Sequence, residues 1–256
     1  MSRKQLKNVT FILIKTNMIN RSDFKKYFLD FLVVFLGILS SFGIDNYIKN
    51  VQKENQKNIL LDELYLSIND DIIQLKIVND ALDDCLDSIE ILFEQSENKT
   101  LKDSILAYHI SNVSAKSAIS FFPQKGVYNQ LINTNSFELI DDKAFRRKIS
   151  DLFEHLEDRK NAADLKFDFF IESFDKALLD KINYRLKIEE LDNSVSINTI
   201  IYDFKLHKNL FKDSEFLGYL SNAEKRVYMY KELMKKYSQS MNEISSYLEN
   251  LKNNYN

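Results

Sequence analysis

The sequence predicts an all-α protein, in which an N-terminal transmembrane helix continues into a long antiparallel helical bundle or coiled-coil-like hairpin. Only four glycines and one proline occur among the 256 residues, so few positions force a helix to stop. Apolar residues also recur at steps of three and four over most of the chain, which is the period of a helix with one buried face. The predicted helices therefore account for most of the chain.

The first predicted element is a transmembrane helix over residues 27–48. The fourteen uncharged residues between Asp30 and Asp45 would rise only about 21 Å. A helix from Tyr27 to Ile48 rises about 33 Å, which matches a hydrocarbon core of about 30 Å. About a dozen Leu, Ile, Phe and Val side chains, each contributing on the order of −0.5 kcal/mol, outweigh two Asp residues near the interfaces. Tyr27 and Tyr47 fall at the two expected headgroup levels.

The distribution of charge predicts how this helix is oriented. Residues 1–26 contain seven basic residues against Asp23 alone, a net charge of +6; because the whole chain carries −3, the remainder carries −9. Basic flanks stay in the cytoplasm. Residues 1–26 are thus predicted to be cytoplasmic and residues 49–256 to form an extracytoplasmic domain, periplasmic if the span lies in a bacterial inner membrane. The acidic domain argues against DNA or RNA as a partner.

Other interpretations of the apolar segment stay open. Ser41 and Gly43 offer a small-x-small cleavage site, so the segment could be a signal peptide that is removed. A soluble core helix is less well supported, because the polar residues of the segment do not align in one stripe. Gly37 and Ser41 form a small-xxx-small pair that would let two copies approach closely. A homo-oligomer through the span is therefore an open alternative to a single lipid-facing helix.

Several residues of the span resemble a known pattern. They are Asp30, Leu32-Val33-Val34, Gly37-Ile38-Leu39 and Ile44-Asp45-Asn46-Tyr47. The series resembles the N-terminal anchor of an uncharacterised bacterial family of small single-pass membrane proteins, described only as a domain of unknown function, whose members read G-E, then L-V-V-I-G-I-L, then I-N-N-W. Residues 128–153 resemble a later segment of the same family. The resemblance implies the topology and the helical fold, and it supplies no catalytic residue.

Beyond the span, three apolar series predict three long helices in one domain. The first, which ends near Glu97, contains Leu61, Leu64, Ile68, Ile72, Leu75, Val78, Leu82, Leu86, Ile89 and Phe93. The second, over about 142–191, contains Phe145, Ile149, Leu152, Leu156, Ala163, Phe167, Phe170, Phe174, Leu178, Ile182 and Leu186. The third, spaced like a coiled-coil seam, contains Val227, Tyr230, Met234, Tyr237, Met241, Ile244, Leu248 and Leu251.

The connection between the first two helices is the predicted partner surface. It contains a short helix near 101–110, a loop with the only proline, and a helix over 127–133. Two long helices of about 75 Å each would place this connection at the far end of the bundle. Loops on a rigid scaffold concentrate binding residues, so an unidentified protein partner is predicted to bind around Phe121, Phe122, Lys125 and Tyr128. The alternative is that both phenylalanines plug the end of the hairpin.

One further segment and the single cysteine have no assigned function. Residues 193–222 are predicted to be irregular, although Val195, Ile197, Thr199 and Ile201 could form a short strand. Cys85 lies on the apolar stripe of the first helix and is predicted to be buried.

No residue set in the sequence predicts a metal site, a cofactor or a catalytic centre. One acidic set shares a helix face but lacks the glycine-turned loop of calcium sites, so a solvated face is predicted; it consists of Asp80, Asp83, Asp84 and Asp87. The three histidines are far apart and lack a second ligand at metal spacing; they are His109, His155 and His207. An aromatic set is predicted to be core rather than a ligand cage; it is Phe167, Phe169, Phe170 and Phe174.

These patterns predict a function in binding rather than in catalysis. The predicted protein is a single-pass membrane protein whose extracytoplasmic bundle binds another protein, scaffolds or senses. One alternative is an envelope enzyme whose site assembles from scattered polar residues such as His155 and nearby acids. Another is an adaptor subunit of a larger membrane complex.

Overall fold

The computed structural model describes residues 21–98, 101–117, 119–179, 181–187, 200–207 and 209–255. The chain forms two compact units, Met1–Asn55 and Gln56–Asn256. The fold is all-α with one small two-stranded antiparallel sheet. The helical fold predicted from the scarcity of glycine and proline is thereby confirmed.

The elements follow one another in this order. The helices are α1 (Arg21–Asn98), α2 (Asp103–Ser117), α3 (Gly126–Asn133), α4 (Lys143–Ser150), α5 (Glu157–Leu178) and α6 (Ser214–Tyr255). A π-helical turn, Asp151–Leu156, joins α4 to α5, and 3-10 turns cover Phe137–Leu139 and Leu210–Lys212. Strands β1 (Ile182–Lys187) and β2 (Ile200–Leu206) pair antiparallel. The prediction of one uninterrupted helix to near Glu97 is confirmed by α1.

Residues 103–142 run back along α1 and do not gather at its end. Val113 accepts a hydrogen bond from the Cys85 thiol, and the Gln124 amide donates to Asp71. Further along, Ile140 lines a cavity together with Leu61. Since Leu61 lies about 54 Å of helix before Glu97, the prediction that this connection sits at the far end of a two-helix hairpin is wrong.

The remaining helices complete an up-down-up-down bundle within Gln56–Asn256. Helix α5 passes α2, where Ser114 donates to Asp175. Helix α6 then runs antiparallel to α1, because Lys231 pairs with Asp83 and Ser245 donates to Asn69. The seam predicted for the third long helix is confirmed, since its residues from Val227 to Leu248 are buried.

The second predicted long helix is shorter than expected and contains a π turn. Leu152 and Phe153 are both buried although they are consecutive, which the wide turn at Asp151–Leu156 accommodates. The helix ends at Leu178, and Ile182 begins β1. Residues 200–206 form β2, so the prediction of an irregular region is wrong there. Residues 188–199, which include Val195, Ile197 and Thr199, lie outside the described part of the chain.

Candidate functional site

The predicted membrane segment has exposed apolar side chains all around α1. An 18-residue window in its N-terminal part has a mean hydropathy of 2.0, and none of that window is buried in the protein. This is one helix long and apolar enough to cross a membrane. Tyr27 and Tyr47 are exposed near its ends, and Asp45 pairs with Lys49 at 2.7 Å. Asp30 is also exposed.

The small residues of this segment leave one side of the helix open. The Ser41 hydroxyl donates to the Gly37 carbonyl at 2.9 Å, so the hydroxyl has a partner without leaving the helix. A Cβ added at Gly37 would meet no atom within 4 Å. Within the described part of the chain no other segment approaches Gly37, so Gly37 and Ser41 are accessible there to lipid or to a second helix.

The four residues of the predicted partner surface divide into two groups. Phe121 is fully buried; its ring contacts Tyr237 edge-on, with 5.3 Å between centroids. Tyr128 is also buried and its hydroxyl donates to Glu154. Neither side chain can contact a partner as the protein is folded, so the prediction is wrong for these two. Phe122 is 67% exposed, and Lys125 is half-buried.

The segment from Phe121 to Lys125 is held down at three points by buried or half-buried polar groups. The Phe121 amide donates to the Tyr230 hydroxyl at 3.2 Å. The Gln124 amide donates to the Asp71 carboxylate at 2.9 Å, and Lys125 pairs with Glu157 at 3.1 Å. The anchors therefore come from three helices, α1, α5 and α6.

Beneath this segment lies a cluster of charged and phenolic side chains, which we call the polar cluster: Asp71, Glu157, Lys160, Asp164, Tyr230 and Tyr237. Lys160 is buried and pairs with Asp164 at 2.6 Å. Its ammonium also lies 5.4 Å from the centroid of the Phe122 ring, in a cation–π contact. The exposed Phe122 thus covers the buried lysine.

The antiparallel pair α5 and α6 builds the cluster in two layers. Glu157 and Asp164 are seven residues apart on α5, and Tyr237 and Tyr230 are seven apart on α6, so the acids and the tyrosines fall at the same two levels of the bundle. The Tyr230 hydroxyl accepts from the Phe121 amide and lies near Asp164, whereas the Tyr237 hydroxyl lies near Glu157. Among the described residues the Tyr237 hydroxyl, Glu157 Oε2 and Asp164 Oδ1 are buried without a hydrogen-bond partner.

The environment of the cluster shifts the pKa values of its members. Burial raises the pKa of Asp71 to about 6; the Gln124 amide opposes this, while Asp70 and Glu157 reinforce it. Burial also raises the pKa of Tyr230 and of Tyr237, so both phenols stay neutral. The Asp71 carboxyl, with a pKa of about 6, can therefore change its charge at mildly acidic pH. The arrangement can take up and release a proton beneath the segment that carries Phe122.

Four members of this cluster, Asp71, Glu157, Lys160 and Asp164, were not predicted from the sequence, although a signal was present for Asp71 and Lys160. The buried positions of α1 follow the steps Leu64, Ile68, Asp71, Leu75, so an acid occupies a core position of the seam. The apolar series predicted for the second long helix steps by seven residues from Leu156 to Ala163, and Lys160 occupies the core position between them. A charged residue within an apolar seam marks a buried polar site, and both residues satisfy that criterion.

The other residues singled out in the sequence lie outside the cluster. Cys85 is buried, as predicted, and the acidic face is exposed at all four positions. His109 bonds Ser88 at 3.2 Å, and burial lowers its pKa. His155 is exposed, 3.8 Å from Asp151 on the same helical stretch. No group of three or more His, Cys, Asp or Glu residues in the described part of the chain could hold a metal ion.

The aromatic set on α5 is mostly core. Phe167, Phe170 and Phe174 are buried, which confirms the prediction for these three. Phe169 is exposed, so it is not part of the core.

Comparisons with known proteins found no relative. No protein-family model matches the chain, and no curated protein or solved structure matches it.

Proposed function

We propose that this chain is a single-pass membrane protein whose helical bundle lies outside the cytoplasm and binds another protein, as a receptor, scaffold or sensor. The observation that carries the proposal is the apolar segment of α1, whose 18-residue window has a mean hydropathy of 2.0 and no buried share. Exposing the apolar side chains of such a helix to water on all sides is unfavourable. The net charge of +6 in residues 1–26, against −9 in the remainder, supports a cytoplasmic N-terminus.

The partner surface that we propose is smaller than the one predicted from sequence. It consists of Phe122 and Lys125, because Phe121 and Tyr128 are core residues. Aromatic residues, Phe among them, are enriched at protein interfaces, and Phe122 exposes most of its ring. The segment is also fixed by its contacts with Asp71, Glu157 and Tyr230, and a preorganised segment loses little conformational entropy on binding.

Membrane attachment is tested by fractionation. The full chain is expected to stay in the membrane fraction after an alkaline wash, and to be released only by detergent. Release of a shortened product that begins near Ile44 would show that the segment is a cleaved signal and would contradict the proposal.

The partner surface is tested by site-specific photocrosslinking in cells. A photoreactive phenylalanine analogue at Phe122 is expected to give a specific adduct with one other protein. The matched control places the analogue at Phe169, which is 70% exposed against 67% for Phe122. The same adducts from both positions would contradict a partner surface at Phe122. An adduct with a subunit of a membrane complex would identify the chain as an adaptor.

A further inference from the structure

One face of α1 carries a straight line of exposed apolar residues. Ile59, Leu66 and Ile73 follow one another at intervals of seven, and Ile77 comes four residues later. All four are between 59% and 63% exposed. At 100° per residue they lie within about 20° of one line along the helix. The line extends over about 27 Å of helix, so it is as long as a docked helix of five turns.

This line does not belong to the core of the bundle. The buried positions of the same stretch include Leu60, Leu64, Ile68 and Leu75, which lie on the other faces of α1. Single exposed Leu or Ile residues need no explanation. Here four exposed apolar residues recur along one line, two turns apart from Ile59 to Ile73 and one turn apart from Ile73 to Ile77; exposed apolar residues grouped in this way mark interaction sites.

Acidic residues border the line on both sides. At helical spacing, Asp62 and Asp80 lie about 40° to one side, and Asp70 and Glu63 lie about 40° to 60° to the other. All four side chains are exposed. The nearest basic residue on this stretch of α1, Lys76, lies about 80° away from the line. The residues of α1 that border the apolar line on both sides are therefore acidic, and the basic residues Lys57 and Lys252 line a cavity together with Asp62.

This distribution of charge decides between two kinds of occupant. A second copy of the chain would bring the same acidic borders against each other, and like charges at the flanks of a helical seam oppose pairing. A helix with basic flanks would meet opposite charge on both borders. The surface is therefore complementary to a basic amphipathic helix and not to itself.

We propose that the acidic stripe, defined as Ile59, Leu66, Ile73 and Ile77 with Asp62, Glu63, Asp70 and Asp80, docks an amphipathic helix of another protein. The apolar residues of that helix recur at intervals of seven and are flanked by Lys or Arg. The inference shares the protein-binding role proposed above, but it depends neither on the membrane segment nor on Phe122. The two surfaces can therefore be tested separately.

The test uses the full chain in detergent and two designed four-heptad peptides. Both peptides carry the same Leu and Ile seam; one has Lys at the flanking positions and the other has Glu. Fluorescence anisotropy is expected to show binding of the Lys-flanked peptide at least tenfold tighter than of the Glu-flanked peptide. Binding is also expected to weaken as the salt concentration rises. Equal affinity for both peptides, or no binding of the Lys-flanked peptide, would overturn the proposal.

Variants of the chain show where on its surface the peptide binds. Leu66→Asp is expected to weaken binding of the Lys-flanked peptide at least tenfold, and Glu63→Lys with Asp70→Lys is expected to do the same. The matched control is Leu165→Asp on α5, because Leu66 and Leu165 are each 62% exposed; this change is expected to leave binding unaltered. Equal losses in Leu66→Asp and Leu165→Asp would place the peptide elsewhere.

Self-association supplies a further outcome. If sedimentation shows that the full chain dimerises and that Leu66→Asp dissociates the dimer, a second copy occupies the stripe and the proposal is wrong. A failure of the photocrosslinking at Phe122 would leave these peptide measurements unaffected, so the two proposals fail independently.

Discussion

The two halves of α1 expose apolar residues in different ways. Between Phe24 and Val51 the exposed apolar side chains surround the helix, whereas from Leu60 to Leu92 one face is buried and the exposed face is largely charged. The helix continues through both halves without a break. Its secondary structure therefore does not distinguish the halves, and the arrangement of apolar residues does. One half has the pattern that a bilayer stabilises, and the other has the pattern of a helix in water.

The largest expected effect comes from placing charge in the first half. The double change Val34→Asp with Ile38→Asp should cost about 6 kcal/mol of insertion free energy, because each acid near the centre of a span costs about 3 kcal/mol. The protein should then be lost from the membrane fraction after an alkaline wash. The matched change in the second half, Leu66→Asp with Ile73→Asp, affects side chains that are about as exposed and should leave membrane retention unchanged.

Retention of the Val34 and Ile38 variant at the wild-type level would contradict this comparison. It would mean that the bundle, rather than the apolar segment, holds the protein to the membrane.

The second effect separates the two faces within the second half. Leu64 is fully buried and Leu66 is 62% exposed. Leu64→Ala should lower the free energy of unfolding by about 2–5 kcal/mol, because it leaves a cavity in the core. Leu66→Ala should change it by no more than about 0.5 kcal/mol. Denaturant titration of the full chain in detergent measures both, and equal losses would show that the stripe is covered within the monomer.

A third effect depends on pH and comes from the acid within the core seam. Burial raises the pKa of Asp71 to about 6 from its usual value near 4, so the native state binds a proton more tightly than the unfolded chain. The stability supplied by the protonated carboxyl is present at low pH and is lost as the pH rises from about 4 to 6. The wild-type protein should therefore lose on the order of 2 kcal/mol of unfolding free energy between these pH values, and the Asp71→Asn variant should not.

The control for this measurement is Asp80→Asn, since Asp80 is exposed on the same helix and is not among the groups that shift the pKa of Asp71. This variant should keep the wild-type dependence of unfolding on pH. If the Asp71→Asn and wild-type proteins show parallel profiles between pH 4 and 7, Asp71 does not titrate in this range.

The regular parts of the fold could be predicted from the sequence because their periodicity is unambiguous. Long series at steps of three and four predicted α1 and the seam of α6, and the same spacing placed Cys85 in the core. The end of α5 could not be predicted in this way. Ile182 and Leu186 continue a helical spacing, yet their separation of four also fits one face of a strand, and the structure places both in β1.

The path of residues 103–142 could not be predicted because it depends on contacts distant in sequence. Helix periodicity gives the length of each helix but not the side of the bundle to which the chain returns. Two contacts fix that return, the Gln124 amide on Asp71 and the Lys125 ammonium on Glu157. For the same reason the sequence predicted a surface at Phe121, which the segment buries against Tyr237.

The smallest expected effect is the loss of the exposed Phe122 ring, which is compared with the loss of its buried neighbour Phe121. Phe121→Ala should cost about 3–5 kcal/mol of unfolding free energy, because the ring is fully buried against Tyr237. Phe122→Ala should cost about 0.5–1 kcal/mol, since the ring is 67% exposed and contributes mainly its cation–π contact with Lys160. Phe122→Leu, which keeps an apolar cover without the π face, separates the two contributions. If Phe122→Leu is as stable as the wild type, the ring covers Lys160 through its apolar surface alone; if it is as destabilised as Phe122→Ala, the electrostatic contact with the buried ammonium is what the exposed ring contributes.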